Sequence, residues 1–345
     1  MRKGFALFVG ILALVAVSFV SAGGSAETKS AVKNTKGPWT IGYDIYFLGN
    51  SWSVQLAAEF KAEAAKNKDM IKNVVYTESE GQADKQISNI QDMIAQGVDA
   101  IILTPNSPSA LAPVVEKAMQ SGIVVVLCAA KVNTDQYTSL VTVNDYDFGK
   151  VGAEWLAKQL DGKGKIVMLN GIPGISVNEE RIQGAKDVFA QYPGIQIVGS
   201  ASADWDYAKA KTAMANLLQA NPEIDGVYSQ GGAMTLGAIE AFQAANRKLV
   251  PMTGEDNNGF LKEWQKLLPQ GFTSIAVSKP TWLSAMSLDI ALKALAGEKV
   301  TKDNILPPPV ITNANLAEFV KPNLPDSFWA HTRLTDDQVN QLFSK

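Results

Sequence analysis

The sequence predicts an α/β protein with two similar lobes, each a parallel sheet flanked by helices. Short apolar runs alternate with segments of helical periodicity from residue 39 to about residue 296, the pattern of βαβ units. Several runs are apolar at consecutive positions, as strands covered on both faces should be. The alternation starts again after residue 163, and a length of 345 residues is sufficient for two ordinary domains.

The first half contains five predicted strands and three predicted helices. The strands cover residues 40–46, 73–77, 100–103, 123–127 and 140–143. Apolar residues recur at helical spacing in 51–66, 84–97 and 109–122, and the last two segments end in Gly, a common helix stop. Strand and helix therefore alternate through this half as βαβ units require.

The second half repeats this plan. Its strands are predicted within 164–171, 195–200, 225–229, 248–254 and 272–278, with helices near 177–191, 207–220, 232–246 and 257–268. After residue 300 the chain is rich in Pro and Asn and weakly periodic, which indicates a connecting tail. A last short helix follows Thr335, whose hydroxyl is a suitable N-cap.

The N-terminus has the pattern of a secretory signal. Arg2 and Lys3 precede an apolar stretch over residues 4–20, so residues 1–22 are predicted to be a signal peptide cleaved after Ala22 or Ala26. An uncleaved membrane anchor is the alternative. The only cysteine, Cys128, lies in an apolar run and offers neither a disulfide nor a lipid-accepting position at the end of the signal. We therefore expect an exported protein with a buried thiol.

Composition argues against several classes of function. Basic (31) and acidic (34) residues are mixed along the chain, with a net charge of −3, so there is no basic stripe for nucleic acid. The single histidine, His331, leaves little material for acid–base catalysis or a multi-His metal site. Glu179 and Glu180 are adjacent on a predicted helix and point in different directions, so they do not form a catalytic pair. We expect no enzyme, no cofactor, no metal and no nucleic-acid partner.

Candidate binding residues follow directly after the predicted strands, where parallel sheets bind their ligands. They are amides, hydroxyls, carboxylates and indoles, which can hold the hydroxyl groups and cover the C–H face of a neutral polyhydroxylated solute. The positions are Asn50, Ser51, Trp52, Thr104, Asn106, Asn144, Asp145, Asn170, Ala203, Asp204, Trp205, Asp206, Ser229, Gln230, Glu255, Asp256, Asn257, Ser278 and Lys279.

Structural roles are the alternative for several of these residues. Asn50 and Asp145 are suitable N-caps for the helices that follow them, and Asp256 suits an Asx turn. Trp52 and Trp205 have packing as their alternative. Arg181, on a predicted helix, has the alternative of an exposed helical charge.

Taken in order, the motifs resemble those of the periplasmic sugar-binding proteins of ABC transporters, with the type I, ribose-binding-protein-like fold. The resemblance runs from about residue 39 to residue 300 and is carried by "FLGNSWSVQL", "QISNIQDMIAQGVDAIILTPNSPSAL", "VNDYDFGKVGAEWLAKQL", "LNGIPGISVNEERIQGA", "SQGGAMTLGAIEAFQAA" and "LKALAGEKV". It implies a hinge of three crossovers between the lobes. The first lobe would comprise 39–143 plus 279–305, and the second 144–278 plus 306–345 with the tail.

Strand ends and resemblance together give the expected ligand-binding residues: Asn50, Trp52, Ser53, Thr104, Arg181, Trp205, Gln230 and Asp256. Three departures from the family pattern stand out. Cys128–Ala129 replaces an Asp–Arg pair of the pentose binders, Gly231–Gly232 replaces Asn–Asp, and Ser278 replaces Gln. The smaller side chains imply a solute bulkier than ribose.

The resemblance implies a monomeric protein that captures a sugar or polyol between its lobes. It would deliver this solute to an ABC transporter permease in the inner membrane. The alternative is a receptor for a nucleoside or an autoinducer-like signal that feeds a sensor.

Overall fold

The computed structural model describes Met1 and residues 36–343, so the predicted signal peptide lies outside the described residues. In chain order the elements are β1 (Trp39–Ile45), α1 (Ser51–Lys66), β2 (Ile71–Glu78), α2 (Ala83–Gln96), β3 (Ala100–Thr104), α3 (Ala112–Gln120), β4 (Val124–Cys128), β5 (Ser139–Val143), α4 (Asp145–Gln159), β6 (Lys163–Asn170), α5 (Ser176–Phe189), β7 (Gly194–Ser202), α6 (Tyr207–Ala220), β8 (Gly226–Ser229), α7 (Gly232–Ala244), β9 (Met252–Gly254), α8 (Asn258–Leu267), β10 (Ser274–Val277), α9 (Leu283–Leu295), β11 (Asp303–Leu306), β12 (Val310–Ile311), α10 (Leu316–Phe319) and α11 (Asp336–Phe343).

The strands form two six-stranded sheets, which confirms the predicted two-lobed α/β fold. The first has the order β11-β5-β4-β3-β1-β2, and all its neighbouring strands are parallel. The second has the order β12-β10-β9-β8-β6-β7 and is parallel except for the edge pair β10 and β12. The central strands β3, β4 and β5 are buried at every position, which agrees with their mostly apolar sequences.

Local sequence sets several helix ends. Asn50 and Asn144 cap α1 and α4 by accepting from the backbone N–H three residues on. The α2 helix ends at Gly97, whose φ of 69° lies in the left-handed region open to glycine. At α11, Thr335 Oγ1 accepts from the N–H of Gln338 while Gln338 Oε1 accepts from the N–H of Thr335, forming a capping box. The predicted Thr335 cap is therefore confirmed.

The chain passes between the sheets three times. These crossovers lie between β5 and α4, between β10 and α9, and between β11 and β12. Beyond the third crossover the tail divides, whereas we expected it to belong wholly to the second lobe. Val320 packs in the second-lobe core, but Val339 of α11 belongs to an apolar cluster with Ala58 and Ala62 of α1 in the first lobe. An amphipathic α11 needs a surface to cover, and α1 provides one.

The two lobes touch across the cleft between them. Ile175, just before α5 of the second lobe, is buried in the first-lobe core, and Val177 packs against the same cluster. At the rim, Lys131 Nζ of the first lobe lies 2.8 Å from Glu180 Oε2 of the second. The structure therefore shows the lobes closed on one another. Among the described residues, no helix combines the length and apolar character needed to cross a membrane.

Candidate ligand-binding site

A cavity of about 480 Å³, partly open to solvent, lies between the lobes at the carboxyl ends of the strands. Ligands of open parallel α/β sheets bind at this place, and clefts between two domains are common ligand sites. Its walls combine aromatic, aliphatic and a few polar side chains: Tyr46, Asn50, Trp52, Thr104, Pro105, Ala129, Ala130, Ile175, Val177, Arg181, Trp205, Glu255, Lys279 and Trp329.

Trp52 forms one wall from the first turn of α1. Its Nε1 donates to the carbonyl oxygen of Lys279 at 2.8 Å, which holds the half-buried indole in place. Asn50 Oδ1 accepts from the N–H of Ser53 at 2.8 Å, so the capping alternative for Asn50 is correct. Asn50 nevertheless lines the cavity as well. One residue therefore caps the helix and borders the site.

Trp205 forms a second wall in a strained turn after β7. Both Asp204 and Trp205 have φ of 55°, in the left-handed region that bulky side chains avoid. The indole lies against two glycines: a Cβ would fall 2.1 Å from its Cζ2 at Gly171 and 3.1 Å from its Cδ1 at Gly231. Larger residues at either position would displace the ring. Strain of this kind concentrates at functional sites.

Arg181 is fully buried, so the alternative of an exposed helical charge is wrong. Its Nε donates to Asp145 Oδ1 at 3.0 Å, and its Nη1 donates to the carbonyl oxygen of Gln230 at 2.9 Å. The guanidinium carbon lies 3.5 Å from the centre of the Phe148 ring. These contacts satisfy a buried cation, whose isolated burial would be very costly.

Lys279 and Glu255 complete a buried group of four ionisable side chains with Arg181 and Asp145. Lys279 Nζ donates to Asp145 Oδ2 at 2.6 Å, and its backbone N–H donates to Glu255 Oε1 at 3.1 Å. Burial raises the pKa of Glu255 to about 8, because removal from water disfavours the carboxylate more than Arg181 favours it. Burial also lowers the pKa of Lys279. Asp145 belongs to this group and does not cap α4, whose N-cap is Asn144.

The remaining expected ligand residues differ in position. Thr104 lines the cavity, and its buried Oγ1 has no hydrogen-bond partner within residues 36–343. Ser53 is fully buried beside Asn50, outside the cavity lining. Gln230 also stands behind the wall, where its Nε2 donates to Asn170 Oδ1 at 3.2 Å. Asp256 lies outside the lining and accepts from the backbone N–H of His331 at 2.6 Å, so the Asx-turn alternative does not describe it.

Sequence reasoning missed several residues of the wall. Glu255 and Lys279 were candidates because they follow strands, but they were not among the eight expected ligand-binding residues. Ala129 and Ala130 line the cavity after β4, one position beyond the expected pair, because Cys128 is the last residue of the strand and is buried. Burial raises the pKa of the Cys128 thiol to about 11, as expected for an inert core cysteine. Trp329 comes from the tail, where no periodic pattern marked it.

The described residues include no group of three or more His, Cys, Asp or Glu side chains that could hold a metal ion. What the cavity offers instead is indole, amide and hydroxyl groups and a buried group of ionisable side chains that are paired with one another. This arrangement suits the binding of a small polar molecule.

Relatives of known function support this interpretation. The ribose import binding protein of Bacillus subtilis (strain 168) is 29% identical over 274 residues, covering 79% of this chain and 87% of that protein. A Bacillus halodurans C-125 ABC transporter solute binding protein, solved with bound myo-inositol, superposes with a TM-score of 0.75 at 25% identity, covering 82% of this chain and 97% of that one.

A third similar structure is the fructose binding periplasmic domain of a hybrid two component system. It has a TM-score of 0.72 and 27% identity, and it covers 81% of this chain and 92% of that one. Residues 41–299 match the family described as "Periplasmic binding protein domain". The chain therefore belongs to the periplasmic binding protein family and has its type I, two-lobed fold.

Proposed function

We propose that the protein captures a sugar or polyol in the cleft between its lobes. The observation that carries the proposal is a pair of poorly partnered, buried polar atoms on two residues that line the cavity, one from each lobe. Trp205 Nε1 on the second lobe has no partner in the described part of the chain, and Thr104 Oγ1 on the first lobe lies beside the Cys128 thiol, a weak hydrogen-bonding group. An unsatisfied buried polar group costs about 1–3 kcal/mol, and a solute rich in hydroxyl groups would supply partners to both lobes at once.

The charges of the site favour a neutral solute. Arg181 and Lys279 both contact the carboxylate of Asp145, so each buried cation already has a partner, while Glu255, with its raised pKa, is a further hydrogen-bonding group 3.6 Å from Arg181. A charged solute would itself have to be desolvated beside this group, at a considerable energetic cost. A neutral solute can instead exchange hydrogen bonds with the outer atoms of the group.

The aromatic walls favour a ring with an apolar face. Trp52 and Trp205 come from opposite lobes and line the same cavity. Indole faces cover the C–H surface of a sugar or cyclitol ring well. The small Ala129 and Ala130 leave room for a solute bulkier than ribose.

We assign the expected ligand residues two kinds of role. Asn50, Trp52, Thr104, Arg181 and Trp205 are proposed to contact the solute, since all five line the cavity. Ser53 and Gln230 are proposed to act from behind the wall, through Asn50 and Arg181 respectively. Asp256 is also proposed to act from behind the wall: its Oδ2 is engaged with His331, and its buried Oδ1 has no partner among residues 36–343.

The proposal extends to the cellular role. The protein would be exported by its signal peptide, begin at Gly23 or Glu27 in the periplasm, act as a monomer, and deliver its solute unchanged to an ABC permease. Family membership and the relatives that import ribose support this role. Mass spectrometry of protein from the native host checks the export step: Met1 retained on a membrane-bound form would contradict it.

A receptor that feeds a sensor is the second candidate. The observation that favours it is the likeness to the fructose binding domain of a hybrid two component system. The two roles share one solute site and differ in the partner that reads the closed form. Copurification with a permease, or with a sensor kinase, from native membranes separates them.

A thermal-shift screen tests solute binding most simply. The probes are D-ribose, D-fructose, myo-inositol and xylitol, with adenosine as the representative nucleoside. A ligand at a hundredfold excess over its Kd stabilises the folded state by about 2.7 kcal/mol, which corresponds to roughly 4 °C or more in Tm. A shift with a sugar or polyol supports the proposal. A shift with adenosine alone contradicts it, and so does the absence of a shift with every probe.

A further inference from the structure

We propose that residues 328–333 of the tail form a third wall of the binding site, and that Trp329 helps to determine which solutes the cleft accepts. This inference rests on the proposed binding of a sugar or polyol. The segment defined by these six residues is called the tail strap below. It lies beyond residues 41–299, the part of the chain that matches the family model.

The tail strap is fixed to the first lobe by a reciprocal pair of hydrogen bonds. The backbone N–H of Trp329 donates to Gln55 Oε1 at 2.9 Å, and Gln55 Nε2 donates to the carbonyl oxygen of Trp329 at 2.9 Å. Trp329 Nε1 also donates to Ser51 Oγ at 3.0 Å. Ser51 and Gln55 flank Trp52 on α1. Trp329 is therefore held beside the established aromatic wall.

The same segment is fixed to the second lobe. Trp329 forms an antiparallel bridge with Asn257, and the N–H of Ala330 donates to the carbonyl oxygen of Asp256 at 3.0 Å. His331 contacts Asp256 Oδ2 through its backbone N–H at 2.6 Å and through Nδ1 at 2.8 Å. The tail strap therefore engages Oδ2 of Asp256, a residue that the family resemblance assigned to the ligand.

These contacts make Trp329 a rigid part of the cavity. Its side chain is only 2% exposed, yet it lines the same space as Trp52 and Trp205. An indole whose backbone and Nε1 are all hydrogen-bonded loses little further freedom when a solute arrives, so the small part of it that borders the cavity is presented in a fixed position. This part adds apolar surface that the C–H face of a ring can contact. Open-chain polyols present no such face.

The experiment compares Trp329→Ala and Trp329→Phe with the wild type by calorimetry, using myo-inositol, D-ribose, D-fructose and xylitol. Trp155→Ala is the control. Trp155 is a partly buried tryptophan that packs within the second lobe and does not line the cavity. Unfolding in urea without ligand is measured for every variant. This separates lost binding from lost stability.

Trp329→Ala should weaken the best ring-shaped probe at least about tenfold, the loss typical of an interface anchor. Xylitol should lose less, Trp329→Phe should stay within about threefold of the wild type because it keeps an aromatic face, and Trp155→Ala should bind normally. Equal losses for all probes would indicate a structural role and overturn the inference, as would unchanged affinity. If the wild type binds none of the probes, the proposed function fails, and the inference fails with it.

Discussion

Lys279 Nζ lies 2.6 Å from Asp145 Oδ2, and the two residues stand at different crossovers between the lobes. Asp145 follows the first crossover and Lys279 precedes the helix of the second. Arg181 Nε donates to the other oxygen of the same carboxylate at 3.0 Å. A single carboxylate therefore joins two crossover segments to the second-lobe wall of the ligand cavity.

Asp145→Asn should be strongly destabilising. The amide keeps the shape of the carboxylate but removes the negative charge that Lys279 and Arg181 share, and Glu255, with its raised pKa, is a poor replacement. Removing one partner of a buried pair costs about 3–5 kcal/mol in unfolding free energy. Urea denaturation measures the loss, with the exposed Asp92→Asn as a control expected within about 0.5 kcal/mol of the wild type. A loss as small as the control's would show that the group contributes nothing to the fold.

Glu255 should make stability fall as the pH rises. Its folded pKa is raised from 4.5 to about 8, so the folded protein holds a proton that the unfolded chain has lost. Stability from this group is full below pH 4.5 and is lost as the pH rises towards about 8. Glu255→Gln, which cannot titrate, should have a flatter pH profile of unfolding free energy. Parallel profiles for wild type and variant would contradict the assignment.

His331 should make attachment of the tail strap depend on pH. Although burial lowers the pKa of its imidazole, the adjacent Asp256 carboxylate outweighs burial, and Glu255 adds to it, so the pKa lies above 6.5. The ion pair therefore stabilises the folded state fully below pH 6.5 and is lost as the pH rises through the folded value.

Hydrogen exchange of residues 328–333, corrected for intrinsic rates, measures this effect. Protection should decrease across neutral pH in the wild type. It should change less in His331→Asn, where no imidazolium forms. An equal pH dependence in both proteins would exclude His331 as the cause.

The pair Lys131–Glu180 should favour the closed lobes modestly. The two atoms lie 2.8 Å apart, but both side chains are about one-third exposed, so solvent screens the attraction. Glu180→Gln should raise the ligand Kd by no more than about fivefold, corresponding to roughly 1 kcal/mol. Small-angle scattering of the ligand-free variant should show a larger radius of gyration. Glu298→Gln serves as the control, because Glu298 is exposed and lies after α9, away from the Lys131–Glu180 pair. This variant should match the wild type in both measurements.

The alternation of strands and helices was predictable because the buried strands are short, mostly apolar runs between segments of helical periodicity. The predicted strand at 140–143 is Ser139–Val143 in the structure, and 123–127 is Val124–Cys128. The edge strand β2 was harder: 73–77 was expected, while Ile71–Glu78 forms it. Its ends are partly exposed and polar, so hydrogen bonding to β1 sets its length and apolar character does not.

The site was predictable only where a residue follows a strand and has a distinctive side chain. Trp52 and Trp205 met both conditions. Between the neighbours Glu255 and Asp256, the choice depends on what each one faces: Glu255 lines the cavity beside Arg181, whereas Asp256 meets His331 of the tail. Contacts between residues so distant along the chain leave no local pattern. Trp329 was missed for the same reason.

The most direct measurement is calorimetry of Trp52→Ala and Trp205→Ala with the sugar or polyol that the wild type binds, together with their unfolding in the absence of ligand. Each substitution removes one aromatic wall and should cost on the order of 2 kcal/mol, about thirtyfold in affinity, while the Phe variants lose much less. Unfolding midpoints near that of the wild type would show that the loss lies in binding. Unchanged affinity in both Ala variants, or weakening that merely follows unfolding, would contradict a solute held between the two indoles.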